Sequence, residues 1–461
     1  MKKEESWWWS VPAEAIQAAV GKESFTALQG AWRENINYRE GNILGFPGTT
    51  PEPVALAVHA WFSELQANNI GCHTLNRKAE FGFPGTQRLE REFVYDVARL
   101  FGAQDPEHTI DGYLCGGGTE GNEHAMWGAR NKLQARSFTG NTKRGIVVLR
   151  SFLAHYSVDK AANRLLGINP KTCEASDGSV LHELHTNAEG ELNAEIVDHA
   201  IRFHYGEGYR RFIVYLTAGT INMGSIDRVS EISRHIGYLK RTLRIVVHVH
   251  VDAAFGGFVI PFLYPDLRFA FDNKHVDSVS VDIHKMGYVP YPAGLFLARK
   301  GFIGRWTTTK ATYLGGHNDR TSCGSRPGAN AAACWATFRT LGRDGYRERV
   351  LRCMGMRDYI QSRMREFKGA YIYPSRLNVF AVRFPLVFTR AMLVENGDGM
   401  SLHERYCIPE DRFPRNLTRS KWKGKVLRRP CRVFRFAAMP HVTRQAVDEF
   451  VDVLRRAAGP A

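Results

Sequence analysis

The chain has 461 residues, 44% hydrophobic and 23% charged, an ordinary globular composition with room for two or three domains. Its net charge of +16 suits an anionic ligand, nucleic acid or an anionic membrane surface. No run of about 18 apolar residues is present, which excludes a membrane-spanning helix of ordinary length, and eight scattered cysteines without a CxxC pair argue against a disulfide framework or structural zinc.

The chain begins MKKEESWWWS, which lacks the apolar core of a signal peptide, so a cytoplasmic location is expected. Residues 1–69 read as an N-terminal helix and an irregular Gly/Pro-rich arm. From 70 to 325, short apolar runs at 113–115, 145–149, 211–216, 244–251, 278–281 and 294–298 read as strands. Between several of them lie stretches of helical period, at 119–136, 156–166, 192–203 and 228–241. Strand and helix in this alternation predict an α/β domain with a mostly parallel sheet covered on both faces. A long helix is predicted over 329–367, followed by strands at 377–384 and 432–438 and a closing helix at 443–456. Residues 326–461 would therefore form a small α+β domain. The stretch 411–432 holds nine Lys/Arg and one acid. Without interleaved aromatics it reads as a solvated surface segment rather than a nucleic-acid site.

Three segments carry chemistry. In GYLCGGGTEGN, 112–122, a strand ends in glycines and Thr119 opens a helix. Backbone N–H groups and the helix N-terminus there suit a phosphate, although the pattern is neither GxxxxGK[ST] nor GxGxxG. In RIVVHVHVDAAFGG, 244–257, the strand period places His248, His250 and Asp252 on one face. Neighbouring side chains of a flat strand converge poorly on one ion, so no metal is expected. Asp252 stands at a strand end, where open α/β sheets bind ligands. In DSVSVDIHKMGYVPYPAG, 277–294, Lys285 lies among Val281, Ile283, Met286 and Tyr288. A lysine in such surroundings reads as an amine that desolvation keeps neutral and nucleophilic. His155, in FLAHYSVDKAANRL, precedes a helix. A reactive lysine, a strand-end carboxylate, a phosphate cradle and a flat side chain form the set that pyridoxal 5'-phosphate requires.

These stretches also resemble a family. HVDAAFGGFVIPF (250–262), SVSVDIHKMGYVPYPAG (278–294), GGGTEGN (116–122), HYSVDKA (155–161) and GSRPGANAAACWA (324–336) are similar to the group II pyridoxal-phosphate decarboxylases, most of all the archaeal-type tyrosine/aspartate decarboxylases. Sphingosine phosphate lyases share some of these elements, and so do serine and histidine decarboxylases. The resemblance implies a fold-type-I, aminotransferase-like fold with a large sheet of the seven-stranded type. It also implies a homodimer with its site at the interface, and decarboxylation of an L-amino acid to its amine. Lys285 would be the Schiff-base lysine and Asp252 the partner of the ring nitrogen. His155 would stack on the ring, with Ala254 on the opposite face. Gly117, Gly118, Thr119 and His284 would bind phosphate, and Thr220 would lie near the ring hydroxyl or the substrate carboxylate. Ser325 would reach the neighbouring subunit's phosphate. Thr49 and Arg435 would contact substrate, and Tyr313 or His155 would return the proton to Cα. The family often has GTT where this chain has Gly219-Thr220-Ile221, and residues 68–86 also depart from it, so the amino acid is left open. The alternatives are a carbon–carbon lyase of the sphingosine phosphate lyase type, a nucleic-acid binder using 411–432, and a zinc hydrolase.

Overall fold

The computed structural model describes residues 12–75, 82–140, 142–311, 318–395, 399–413 and 431–459. A seven-stranded sheet forms its centre. Its strands are β1 (Ile110–Cys115), β2 (Val147–Ser151), β3 (Val180–Leu184), β4 (Arg211–Thr217), β5 (Val246–Asp252), β6 (Ser278–Asp282) and β7 (Gly294–Arg299). They lie in the order β1-β7-β6-β5-β4-β2-β3. Strands β1 to β6 run parallel to one another, and β7 runs antiparallel between β1 and β6. Every residue of β4 is buried, including Phe212, Ile213 and Val214, as expected of a strand covered on both faces. Each such side chain stabilises the fold by roughly 1.5–3 kcal/mol relative to exposure.

The six strands predicted between 70 and 325 overlap observed ones, and the four helices predicted there overlap Gly118–Gln134, Ser157–Leu166, Ala194–Gly206 and Val229–Thr242. Strand β3, VLHEL, went unpredicted because His182 and Glu183 interrupt its apolar run. The N-terminal region holds three helices, Ala13–Val20, Lys22–Glu34 and Pro53–Ser63, where one was expected. The predicted helix at 329–367 appears as Gly328–Arg365, with a break at Gly342 (φ 55°, ψ −169°). It packs on the helices Pro53–Ser63 and Pro84–Leu100.

A second, smaller sheet follows, built from β8 (Tyr371–Ile372), β9 (Val379–Arg383), β10 (Glu410–Phe413) and β11 (Cys431–Ala437) in the order β10-β11-β9-β8. The closing helix Arg444–Ala458 begins where the Thr443 hydroxyl accepts from the Ala446 N–H at 3.2 Å, an N-cap. Its buried face carries Val447, Phe450, Val451 and Leu454. Most of the basic 411–432 stretch lies outside the described residues.

One register detail builds the site. Gly294, the first residue of β7, pairs with Cys115 of β1 on one side and Asp282 of β6 on the other. The glycine turn after β1 is thereby set beside the loop after β6. A Cβ at Gly294 would lie 2.5 Å from the Gly117 Cα, so only glycine allows this approach.

Candidate active site

The ends of β1, β5 and β6 border one cavity of about 1010 Å³. Gly117, Gly118 and Thr119 reach it from the first turn, Asp252 and Ala254 from the end of β5, and His284 and Lys285 from the loop after β6. His155 and Arg435 line it as well.

The turn after β1 is extended through Gly117, at φ 151° and ψ −178°, a conformation favouring glycine. A Cβ there would approach the His284 Cε1 to 3.1 Å, and one on Gly118 would approach the Ala254 Cβ to 3.1 Å. The helix Gly118–Gln134 starts at this turn, adding the partial positive charge of its N-terminus. The His284 Nδ1 accepts from the Ala293 N–H at 3.1 Å, which places its proton on Nε2. Burial holds this imidazole below its ordinary pKa.

Asp252 is held by two donors. The Asn122 amide donates to Oδ2 at 2.8 Å and the Ala254 N–H donates to Oδ1 at 3.0 Å. A carboxylate has about four acceptor directions, so it can take a further donor from the cavity. Asn122 is itself fixed from behind. Its Oδ1 lies 2.9 Å from the His250 Nε2 and accepts from the Ser280 hydroxyl at 3.0 Å, while its carbonyl accepts from the Tyr215 hydroxyl at 2.7 Å. His248 and His250 are buried and hydrogen-bonded to Ser278 at 2.9 and 2.8 Å. They serve the sheet interior, and among the described residues no group of three His, Cys, Asp or Glu is arranged to hold a metal.

The Asn122 amide also donates to the Ser157 hydroxyl at 2.8 Å, and Ser157 in turn lies 2.9 Å from the His155 Nδ1. A continuous chain therefore links the imidazole to the carboxylate. The Ser157 N–H points at the same Nδ1 at 3.4 Å, so Nδ1 is the acceptor and Nε2 carries the proton. Burial lowers the pKa of His155, and Lys285 and Arg435 lower it further, against the opposing pull of Asp252 and Asp282. The ring is thus neutral and flat near neutral pH.

Lys285 corrects one expectation. It is not an isolated amine among apolar side chains, for its Nζ lies 2.7 Å from the Asp282 Oδ2. The other oxygen, Oδ1, accepts the Gly118 N–H at 2.5 Å. Asp282 and Asn122 were both missed in the sequence. The only local sign of Asp282 was its place three residues before Lys285.

Other expected residues lie elsewhere. Thr220 is buried, with its hydroxyl 2.7 Å from that of Ser225, and it does not line the cavity. Thr49 is buried beside His441, at 3.4 Å. Ser325 accepts from the Asn68 amide at 3.3 Å and lines a separate cavity of about 310 Å³. Its neighbour Arg326 is structural, pairing with Glu90 and donating to the Leu114 carbonyl at 2.8 Å. Tyr313 lies outside the described residues.

The pyridoxal-dependent decarboxylase conserved domain matches residues 52–387. The chain belongs to the pyridoxal-dependent decarboxylase family. A probable L-tyrosine/L-aspartate decarboxylase of Methanosarcina barkeri is 30% identical over 448 residues, covering 95% of this chain and 98% of the relative. A tryptophan decarboxylase of Clostridium sporogenes is 28% identical, covering 92% and 93%. Among solved structures, L-methionine decarboxylase from Streptomyces sp. 590 superposes with a TM-score of 0.73 at 18% identity, covering 96% of each chain. The fold is thus that of the fold-type-I pyridoxal-phosphate enzymes. The protein is a pyridoxal-phosphate-dependent carboxy-lyase that converts an L-amino acid to its amine and carbon dioxide, rather than a carbon–carbon lyase. The residues around the cavity fit the cofactor. The Gly117–Gly118 turn is a cradle that a Cβ would fill, as a phosphate site requires, and the Asp252 carboxylate, pinned by two donors, keeps acceptor capacity for a protonated ring nitrogen.

Proposed function

We propose that Lys285 carries the cofactor and that Asp252, fixed by Asn122 and the Ala254 N–H, holds the ring nitrogen protonated. The observation that carries this reading is that Lys285, Asp252 and the Gly117–Thr119 turn all border one cavity. Pyridoxal phosphate supplies an aldehyde for the substrate amine and a cationic ring that accepts the electron pair of the breaking Cα–carboxylate bond. The chain's own residues bind, orient and protonate. Gly117, Gly118, Thr119 and the Nε2–H of His284 take the phosphate. The neutral His155 ring and the Ala254 methyl cover the two ring faces. Arg435, whose guanidinium donates to the Gly45 carbonyl at 3.3 Å beside the cavity, anchors a substrate carboxylate. Tyr313 or the Nε2–H of His155 returns a proton to Cα. Thr220 acts by setting the turn beside Gly219.

The enzyme works as a homodimer in which Ser325 faces the partner's site. Support comes from the helices Ala13–Val20 and Lys22–Glu34, which bury no residue within one chain, while Trp32 is 80% exposed. None of the eight cysteines is joined in a disulfide, which suits the reducing cytoplasm.

Borohydride reduction followed by peptide mapping tests the reading. A pyridoxyl group on Lys285 is expected, and a cofactor recovered with Lys285 unmodified overturns it.

A further inference from the structure

Asp282 occupies the junction of the phosphate cradle and the reactive amine. Its carboxylate is buried, with Oδ1 on the Gly118 N–H at 2.5 Å and Oδ2 on the Lys285 Nζ at 2.7 Å. The His284 Nε2 stands 3.6 Å from Oδ2. The same three groups are the ones assigned above to phosphate and aldehyde, so this inference rests on that reading. Before loading, a side-chain anion therefore fills the place that an incoming anion needs.

Two physical requirements conflict there. A lysine must shed a proton before its nitrogen can attack a carbonyl carbon. A carboxylate next to a phosphate dianion in a buried site is repelled, and one of the two anions gains a proton. Moving one proton satisfies both. We propose that Asp282 accepts the proton of Lys285 during cofactor loading. An N–H bond of the lysine breaks and an O–H bond forms on Asp282. The neutral amine is then free to attack the aldehyde, whose oxygen leaves as water with the two remaining amine protons, and the neutral carboxyl faces the phosphate as a donor rather than as a like charge.

The groups facing Asp282 are Lys285, His284, His155, Tyr291 and Cys115. Burial pushes the Asp282 carboxyl upward, but Lys285 and His284 outweigh it and hold it below the ordinary range. That balance lasts only while Lys285 is charged. Once the amine is neutral, burial and the phosphate both favour the protonated acid.

The test uses the full-length chain stripped of cofactor and mixed with pyridoxal 5'-phosphate in a stopped-flow spectrometer. Visible absorbance reports covalent attachment. The wild type should attach at a rate nearly flat from about pH 6 to 9. Asp282→Asn should attach at least ~10-fold more slowly at neutral pH and speed up by about tenfold per pH unit, as only the free amine reacts. Asp282→Glu should recover part of the rate. Pyridoxamine 5'-phosphate, which has no aldehyde, should bind Asp282→Asn at least as tightly as the wild type. Attachment of Asp282→Asn at the wild-type rate and pH profile overturns the proposal. Loss of pyridoxamine phosphate affinity in step with the rate also overturns it, because it marks a collapsed cradle. Failure of the Lys285 assignment looks different, since the wild type itself would then carry no pyridoxyl group at that residue.

Discussion

Asn122 and Asp252 are 130 residues apart in sequence, yet a single 2.8 Å hydrogen bond joins the amide of one to the carboxylate of the other. Because Asn122 also bonds Ser157, it orients the carboxylate and, through Ser157, the His155 ring. Asn122→Ala should retain bound cofactor and lower kcat by about 10- to 100-fold, with a stability loss of about 1–3 kcal/mol for the polar groups left unpaired. Steady-state kinetics and urea unfolding check this. A variant with wild-type kcat would leave Asn122 as packing only.

Asp252→Asn should still bind cofactor and lose most of its rate, since a neutral amide cannot hold the ring nitrogen protonated. Carbon dioxide release is the measurement, and undiminished release would remove Asp252 from its role.

Gly294→Ala should damage the cradle from behind. The added methyl would meet backbone, 2.5 Å from the Gly117 Cα, so β1 and β7 must separate. Overpacking of this kind costs roughly 1–3 kcal/mol. Cofactor affinity should drop by at least about tenfold, as read by equilibrium dialysis. Unchanged affinity would mean that the turn adapts.

With Arg435 in the proposed role of substrate anchor, Arg435→Met should raise KM well above any change in kcat, because that contact is made before the chemistry. Equal effects on both constants would instead mark a structural arginine.

The protein should be acid-labile. Burial lowers the pKa of His124 and of His248 to about 3. A folded-state pKa below the unfolded value means that the contribution to stability is present above about pH 6.5 and is lost as pH falls toward the folded value. Each group then weakens the fold by up to about 1.4 kcal/mol per pH unit below 6.5. Urea titrations at a series of pH values should show this slope, and His248→Gln should reduce it by about one proton. An unchanged slope would contradict the buried neutral state.

What the sequence made legible was local. Lys285, Asp252 and the glycines at 116–118 stand at strand ends, where apolar alternation stops and backbone-permissive residues begin. Asn122 and Asp282 were not legible, because their partners lie on other strands and only the sheet order reveals them. Lys285 was misjudged for the same reason, since its partner looked like an ordinary polar position in an alternating strand. The reversed direction of β7 was hidden too, because an antiparallel strand paired on both sides and a parallel core strand share the same buried apolar pattern.

That reversal bears on how the enzyme is made. A ribosome delivers the Gly118 turn 164 residues before Asp282, and the last strand of the large sheet to emerge, β7, is the one wedged between β1 and β6. Early in synthesis the glycine turn has no lysine loop to face, so a nascent chain released before about residue 299 should be unable to capture its vitamin-derived prosthetic group.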